Sequence, residues 1–473
     1  MRRRRRRRHG AGGCLCAAVV LAAAAFVAKP VIRETVKYMG IGTEIFGNRE
    51  EQDVPEQAED SGENASAKEN ADDEITDASF VELPSSYDLR ERRAVHVSDQ
   101  GDLGTCWAFA ALTAVETSMP ESLAMPLSAD HMSIHNSFGI SQNSGGDFSM
   151  AMAYLLAWQG PVSEADDPYG DSVSPDGLSP VCHVQEIRIL PEKDYEAVKR
   201  AVYLYGGVQT SLYLPAENRR GDENVCYRGN EEPNHDAVIV GWDDDYPKEN
   251  FAETPESDGA FLCVNSWGES FGDGGFFHVS YEDSRIAESS VSYSRIEPAD
   301  NYDVNYQSDL CGWTGQMGFG GPDAWFANVY AAETDETLEA VGFYATAPDT
   351  EYEVYVSDGE KFERFAGDGG KFQPYSGKVL ASGTVPDTGF FTIKLKEPQT
   401  LKVGKKFAAV VKIHTPGKTQ PVAVEYAGSG RAGNVDISDG EGYISFDGST
   451  WERTEESKQC NVCLKAYSRK NGK

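Results

Sequence analysis

The sequence predicts an α+β domain followed by an all-β sandwich. Three observations carry that expectation. Hydrophobic repeats of helical period recur up to Gly207, and strand-like runs take over from Val208. From about Asn301 the helical period vanishes, and short β-rich runs alternate with turn signals such as Asp358-Gly359 and Asp447-Gly448. With 473 residues the chain is long enough for two or three domains.

The first helix is expected from 106 to about 119, with Thr105 as N-cap and Pro120 just past the end. Trp107, Ala110, Ala111, Ala114 and Val115 recur at helical spacing and predict one apolar face. A second helix is expected over 147–159, capped by Asp147 or Ser149 and stopped by Gly160-Pro161. A third is expected over 192–205, with Val198, Ala201 and Val202 on its apolar side. Strands follow at 208–213, 237–242, 260–265 and 275–281, the second apolar throughout and therefore buried. The sandwich is expected from runs at 325–331, 338–344, 352–357, 389–396, 407–414, 422–426, 443–446 and 462–467.

The formal net charge is -33, which disfavours nucleic acid and anionic membrane surfaces as partners. Arg2 to Arg8 precede an apolar stretch from about Ala11 to Ala28, so 1–30 reads as a signal peptide or a signal anchor. Arginines on that side keep the N-terminus in the cytoplasm and the rest of the chain outside. Residues 31–79 are acidic and aperiodic and read as a disordered spacer or pro-segment.

Nine cysteines are too few for a disulfide scaffold. Setting aside Cys14 and Cys16, seven remain, an odd number that leaves at least one thiol free. Cys182 could pair with Cys226, and Cys311 with Cys460 or Cys463. Cys460 and Cys463 lack the second pair that a zinc site needs, and His131 and His135 lack further ligands. No metal or cofactor is expected.

Cys106 stands in the first turn of its helix, where unpaired N–H groups and the helix dipole favour a thiolate. Gln100 places a side-chain amide six residues upstream. His235 directly precedes the buried strand, as suits a base at a cleft. Asn265 ends the next strand, where its carbonyl can orient an imidazole, and the Trp267 indole can shield that bond from water.

Segments 100–109, 234–242 and 264–275 resemble the three active-site blocks of papain-like cysteine peptidases. They keep the order Gln, Cys, His, Asn, and His235 and Asn265 follow Cys106 by 129 and 159 residues, near the roughly 130–150 usual there. Segments 83–90 and 271–277 resemble the family's mature N-terminus and its glycine-rich segment, and Asn143-Ser144-Gly145-Gly146 resembles the strand that binds substrate backbone. The resemblance implies a two-lobed peptidase, helical lobe plus β lobe, over 80–297. It implies Cys106 as nucleophile, His235 as base and acid, Asn265 as its orienter, and Gln100 with the Cys106 N–H as oxyanion hole. Gly145, Gly146, Asn234 and Trp267 would then line the substrate cleft. The family's cysteine three residues before the nucleophile is replaced by Leu103, so packing alone is expected to hold that turn. Asp236 replaces a more usual alanine and could raise the His235 pKa or narrow the pocket.

Residues 301–470 resemble, on Trp325, Tyr344, 442–445 and Trp451, the lectin-like domain that follows such peptidases in some bacterial surface proteins. That likeness implies carbohydrate binding, although aromatics in a β domain more often form core. The expected function is an exported cysteine endopeptidase, secreted or on the outer face of a bacterial membrane. It would act on protein or peptide substrates through a thioester, with a cell-surface glycan as candidate partner of the second domain and membrane anchoring through 1–30. Two alternatives remain open: a thiol acyltransferase or transamidase, and a surface adhesin.

Overall fold

The computed structural model describes residues 81–367, 378–428 and 433–472. The expectations for 1–30 and 31–79 lie outside the described residues. The first domain carries helices α1 (Cys106–Ser118), α2 (Ala129–Ile134), α3 (Phe148–Leu156) and α4 (Tyr195–Leu204). Its strands are β1 (Ser86–Asp88), β2 (Cys182–Leu190), β3 (Val208–Leu212), β4 (His235–Asp243), β5 (Ala260–Val264), β6 (Phe276–Ser280) and β7 (Ser290–Pro298).

The helix α1 is buried almost all round rather than on one face. It lies between α2 and α3 on one side and β4 and β7 on the other, so every face meets another element. Asp147 caps α3 by accepting the Ser149 N–H at 2.9 Å, and Asp194 caps α4 through the Ala197 N–H at 2.9 Å. α2 has only six residues, too few to show a period, and was not expected.

The second domain adds β8 (Val304–Tyr306), β9 (Asp323–Ala331), β10 (Glu336–Ala345), β11 (Thr350–Asp358), α5 (Gly359–Gly367), β12 (Ala381–Val385), β13 (Thr388–Leu401), β14 (Lys406–His414), β15 (Gly442–Ser445), α6 (Thr454–Lys458) and β16 (Leu464–Lys470). One of its sheets runs β12-β11-β14-β9-β15, with a short edge strand at Glu452–Arg453. Phe326, Phe343, Phe391 and Val411 belong to one core, and Trp325, Val329 and Tyr443 to another that includes Phe362 of α5. Both faces of β9 are therefore buried, from Ala324 to Tyr330, with Asn328 the one polar side chain among them. The two helices correct the expectation of a region without helical period. Trp325, Tyr344 and Trp451 are core residues.

A sheet of 13 strands crosses from one domain to the other, in the order β8-β16-β10-β13-β2-β7-β3-β4-β5-β6 and on to two short edge strands, with β1 paired to β4 off this path. The crossing is the antiparallel pair β13–β2, with Thr388 opposite Ile189 and Phe391 opposite Glu186. Gly389 sits there at φ +147, and a Cβ would stand 2.0 Å from the Ile187 carbonyl oxygen, so only glycine fits. β2 escaped the sequence reading because His183, Gln185, Glu186 and Arg188 interrupt it, yet all nine residues are buried. Arg188 makes that possible. Its Nη2 donates to Glu186 at 2.6 Å, its Nε to Ser294 at 3.2 Å, and its Nη1 to Asp387 in the turn before β13.

All seven described cysteines are free, so neither expected disulfide exists. Six are buried, and Cys106 alone is partly exposed. Among the described residues no helix is long and apolar enough to cross a membrane.

Candidate active site

Cys106 is the first residue of α1, and α1 packs on β4, whose first residue is His235. The Asp236 amide lies against the Cys106 sulfur, which places the His235–Asp236 corner at the thiol. β4 pairs with β5 in the register Val238 to Val264, so Asn265 emerges just past the end of β5 on the side of His235. His235 Nε2 is 2.7 Å from Asn265 Oδ1. The imidazole ring lies 4.7 Å, centroid to centroid, from Trp267, which covers that bond.

The hydrogen bonds fix the protonation of His235. Asn265 Oδ1 also accepts the Ser266 backbone N–H at 2.8 Å, a group that can only donate. The oxygen of the amide must therefore face both partners, and His235 Nε2 must carry a proton. Nδ1 is left as the basic nitrogen, and burial pushes the imidazole down to about 4, so the ring is neutral at pH 7.

Gln100 is drawn to the same loop. Its backbone N–H donates to the Ser266 carbonyl at 2.8 Å, its Oε1 accepts the Ser266 hydroxyl at 2.7 Å, and its Nε2 donates to Leu103 O at 2.8 Å. An amide nitrogen has two hydrogens, so one remains for a ligand. Asp99 bridges to Trp267 in the same ladder. The turn 100–105 is thus tied by hydrogen bonds, not by packing alone: Asn143 Oδ1 also accepts the Gly104 N–H at 2.8 Å. Thr105 does not cap α1; its hydroxyl lies 2.7 Å from Tyr169 Oη instead.

Gly145 and Gly146 follow a short 3-10 turn and form no regular strand. Gly146 presses on the Trp107 ring so closely that a Cβ would stand 2.4 Å from it, which holds this segment beside the first turn of α1. Asn234 is exposed, and its Oδ1 accepts the Leu214 N–H at 3.0 Å.

The electrostatics differ from the sequence reading. Burial pushes the Cys106 thiol up to about 12, and the Asp236 carboxylate adds to that rise. The amides at the start of α1 pull the other way but do not outweigh burial. Asp236 points away from His235, accepting from Ser211 Oγ at 2.7 Å and from Gln209 Nε2 at 3.0 Å. Burial lifts its own pKa to about 6, so it is ionised at pH 7.5. Asp236→Asn removes a negative charge near the sulfur and lowers the thiol pKa. Alkylation of Cys106 by iodoacetamide at pH 7.5 is then expected to run roughly severalfold faster, with its pH profile moved to lower pH. An unchanged profile would show that the carboxylate does not act on the thiol.

His131 and His135 stack on each other at 4.5 Å, and His131 Nδ1 lies 2.6 Å from Tyr154 Oη. Burial holds His131 down to about 4. Sequence reasoning gave no role to Ser266, Tyr169 and Gln209, none of which has a local signal pointing to the thiol, and read Asn143 only as part of the substrate-binding segment.

A two-lobed α+β domain whose cysteine opens a helix packed on the strand that carries one member of a histidine–asparagine pair, joined to an all-β domain, defines the class. Residues 83–295 match the papain family of cysteine proteases and 305–468 the lectin like domain family. The chain joins a papain-like cysteine protease domain to a lectin-like domain.

Among solved structures it is similar to the clostridial cysteine protease Cwp84 after propeptide cleavage, at 27% identity and TM-score 0.72, over 82% of this chain and 100% of that one. A structure of the cysteine protease and lectin-like domains of Cwp84, a surface layer associated protein of Clostridium difficile, aligns at 26% identity and TM-score 0.70, over 83% and 90%. Cathepsin L of Sarcophaga peregrina is 26% identical over 217 residues, 42% of this chain and 60% of the relative. The Ambrosia artemisiifolia cysteine protease Amb a 11.0101 is 27% identical over 210 residues, 43% and 52%. The chain therefore spans about half to three fifths of the length of these curated relatives.

Proposed function

We propose that this protein is an exported cysteine endopeptidase with Cys106, His235, Asn265 and Gln100 as its catalytic residues. The observation that carries the reading is the tautomer of His235. Asn265 and Ser266 together leave its Nδ1 lone pair for the one partly exposed cysteine of the described chain.

The thiol is neutral at rest, so its proton moves to His235 Nδ1 as the sulfur bonds to the scissile carbonyl carbon. The carbonyl oxygen takes the negative charge and is held by the Cys106 N–H and the spare Gln100 Nε2–H. Collapse breaks the C–N bond, and the imidazolium returns its proton to the leaving amine, leaving a thioester. His235 then takes a proton from water, whose oxygen attacks the thioester, and Cys106 leaves with the proton back on sulfur. Gly145, Gly146, Asn234 and Trp267 border the cleft in which the peptide would lie. In this reading 80–297 form the peptidase and 301–470 the sandwich. By likeness to a surface layer associated relative, the second domain would hold the enzyme to a cell-surface ligand, a glycan by class.

Treatment of the folded protein with an epoxide or iodoacetamide is expected to modify Cys106 and to abolish cleavage of a peptide library. Cys106→Ser should lose both modification and cleavage. Cleavage that persists in Cys106→Ser, or a Cys106 that resists modification, would overturn the reading. Products that incorporate an added amine instead of water would show a transamidase.

A further inference from the structure

We infer that Tyr169 is a positioning residue for the oxyanion turn, holding it through a directed chain of hydroxyls; this rests on the peptidase reading of Gln100 and Cys106.

Tyr169 lies in the loop between α3 and β2, more than 60 residues from the turn it touches. Its hydroxyl donates to the Gln100 carbonyl at 2.9 Å. That uses its single hydrogen, so the Thr105 hydroxyl, 2.7 Å away and fully buried, must be the donor to Tyr169. The chain Thr105 to Tyr169 to Gln100 therefore joins the two ends of the turn. One end carries the Gln100 side-chain donor; the other leads directly into the Cys106 N–H. Their separation is the width of the oxyanion hole. Nothing covalent sets it, since Leu103 cannot form a bridge and all described cysteines are free.

Tyr169 is itself anchored. Its backbone N–H donates to Glu164 at 3.0 Å, and its ring meets Phe109 of α1 edge-on at 4.7 Å. The Thr105 hydroxyl is turned toward Tyr169 and not toward the first N–H groups of α1. A donor misplaced by a fraction of an ångström is worth much less in a preorganised site, so a residue that never touches substrate can still control the rate.

The test is Tyr169→Phe, which deletes only the hydroxyl, made in the full chain alone and together with Gln100→Ala. Three readouts are compared: kcat and KM on a fluorogenic peptide, kcat on an activated ester, and the rate of Cys106 alkylation by iodoacetamide. Ester hydrolysis passes through the same oxyanion, whereas alkylation forms none. Tyr169→Phe is expected to lower kcat on both substrates about tenfold, the loss of roughly one buried hydrogen bond. KM and the alkylation rate should stay within about twofold. In the Gln100→Ala background the same change should lower kcat by less than about twofold, because the donor it positions is gone. Thr105→Val should give a smaller loss in the same direction.

Equal proportional losses in both backgrounds, or a fall in alkylation that matches the fall in kcat, would overturn the assignment and leave a merely structural tyrosine. A protein that hydrolyses the ester but no peptide would overturn the peptidase reading, while the ester series would still decide Tyr169.

Discussion

Gln100→Ala should leave the protein folded and slow its peptidase reaction by two to three orders of magnitude. The side chain offers one spare N–H to the developing oxyanion, and losing one such donor typically raises the barrier by about 2.7–4 kcal/mol. The effect belongs in kcat, because the donor gains most of its value when charge appears on the oxygen. Gln100 also holds the Ser266 hydroxyl and the Leu103 carbonyl, so Gln100→Glu is the companion variant. It keeps the acceptor for Ser266 but replaces the donor with negative charge, and should be slower than Gln100→Ala. Wild-type kcat in Gln100→Ala would remove this residue from the oxyanion hole. Alkylation of Cys106 should proceed in both variants, which separates a lost donor from a lost fold.

The second large effect is expected at the crossing between the domains. The Arg188 side chain is 4% exposed and lies between Glu186, which is 7% exposed, and Asp387. Arg188→Met preserves length and apolar contact with Tyr205 and Phe391 but leaves Asp387 without its cation and Glu186 with only Arg295, 3.9 Å away. Breaking one side of a buried ion pair costs about 3–5 kcal/mol. The urea midpoint should fall accordingly. Replacing Arg188, Glu186 and Asp387 together by uncharged residues of similar size should recover most of the loss, since the penalty lies in the unpaired charge and not in the missing bridge. A midpoint that stays at the wild-type value in Arg188→Met would mean that solvent reaches the carboxylates.

The chemistry was legible because each of its residues sits at an element boundary with its own local signature. Cys106 opens a helix, His235 opens a buried strand and Asn265 closes one, and the structure brings His235 and Asn265 together at 2.7 Å. Hydrogen bonds across 60 or more residues leave no such signature, which is why Tyr169 and Ser266 went unread. The helix-start amides do lower the thiol pKa as read, but burial outweighs them, and burial is invisible in the sequence for a related reason. The helix start is a local feature, but burial and the approach of Asp236 come from tertiary packing. β2 was hidden by polar side chains, one of which, Arg188, finds a partner in the other domain. α5 did carry a signal, Phe362, Phe365 and Ala366 at helical spacing, but nine residues flanked by strands do not outweigh their surroundings.

The continuous sheet across the two domains has one further consequence. Enzymes that carry a gripping module on a flexible tether search a volume and cut wherever the tether reaches. Here β13 is hydrogen-bonded to β2, and β2 is two strands from β3, the neighbour of the strand that bears His235. If the second domain holds a surface as proposed, the continuous sheet would make the span from that surface to the cleft a fixed length, and the chain would act as a ruler. Of all the bonds within reach of a held partner, only those at that distance and angle would be presented for cutting, whatever their local sequence.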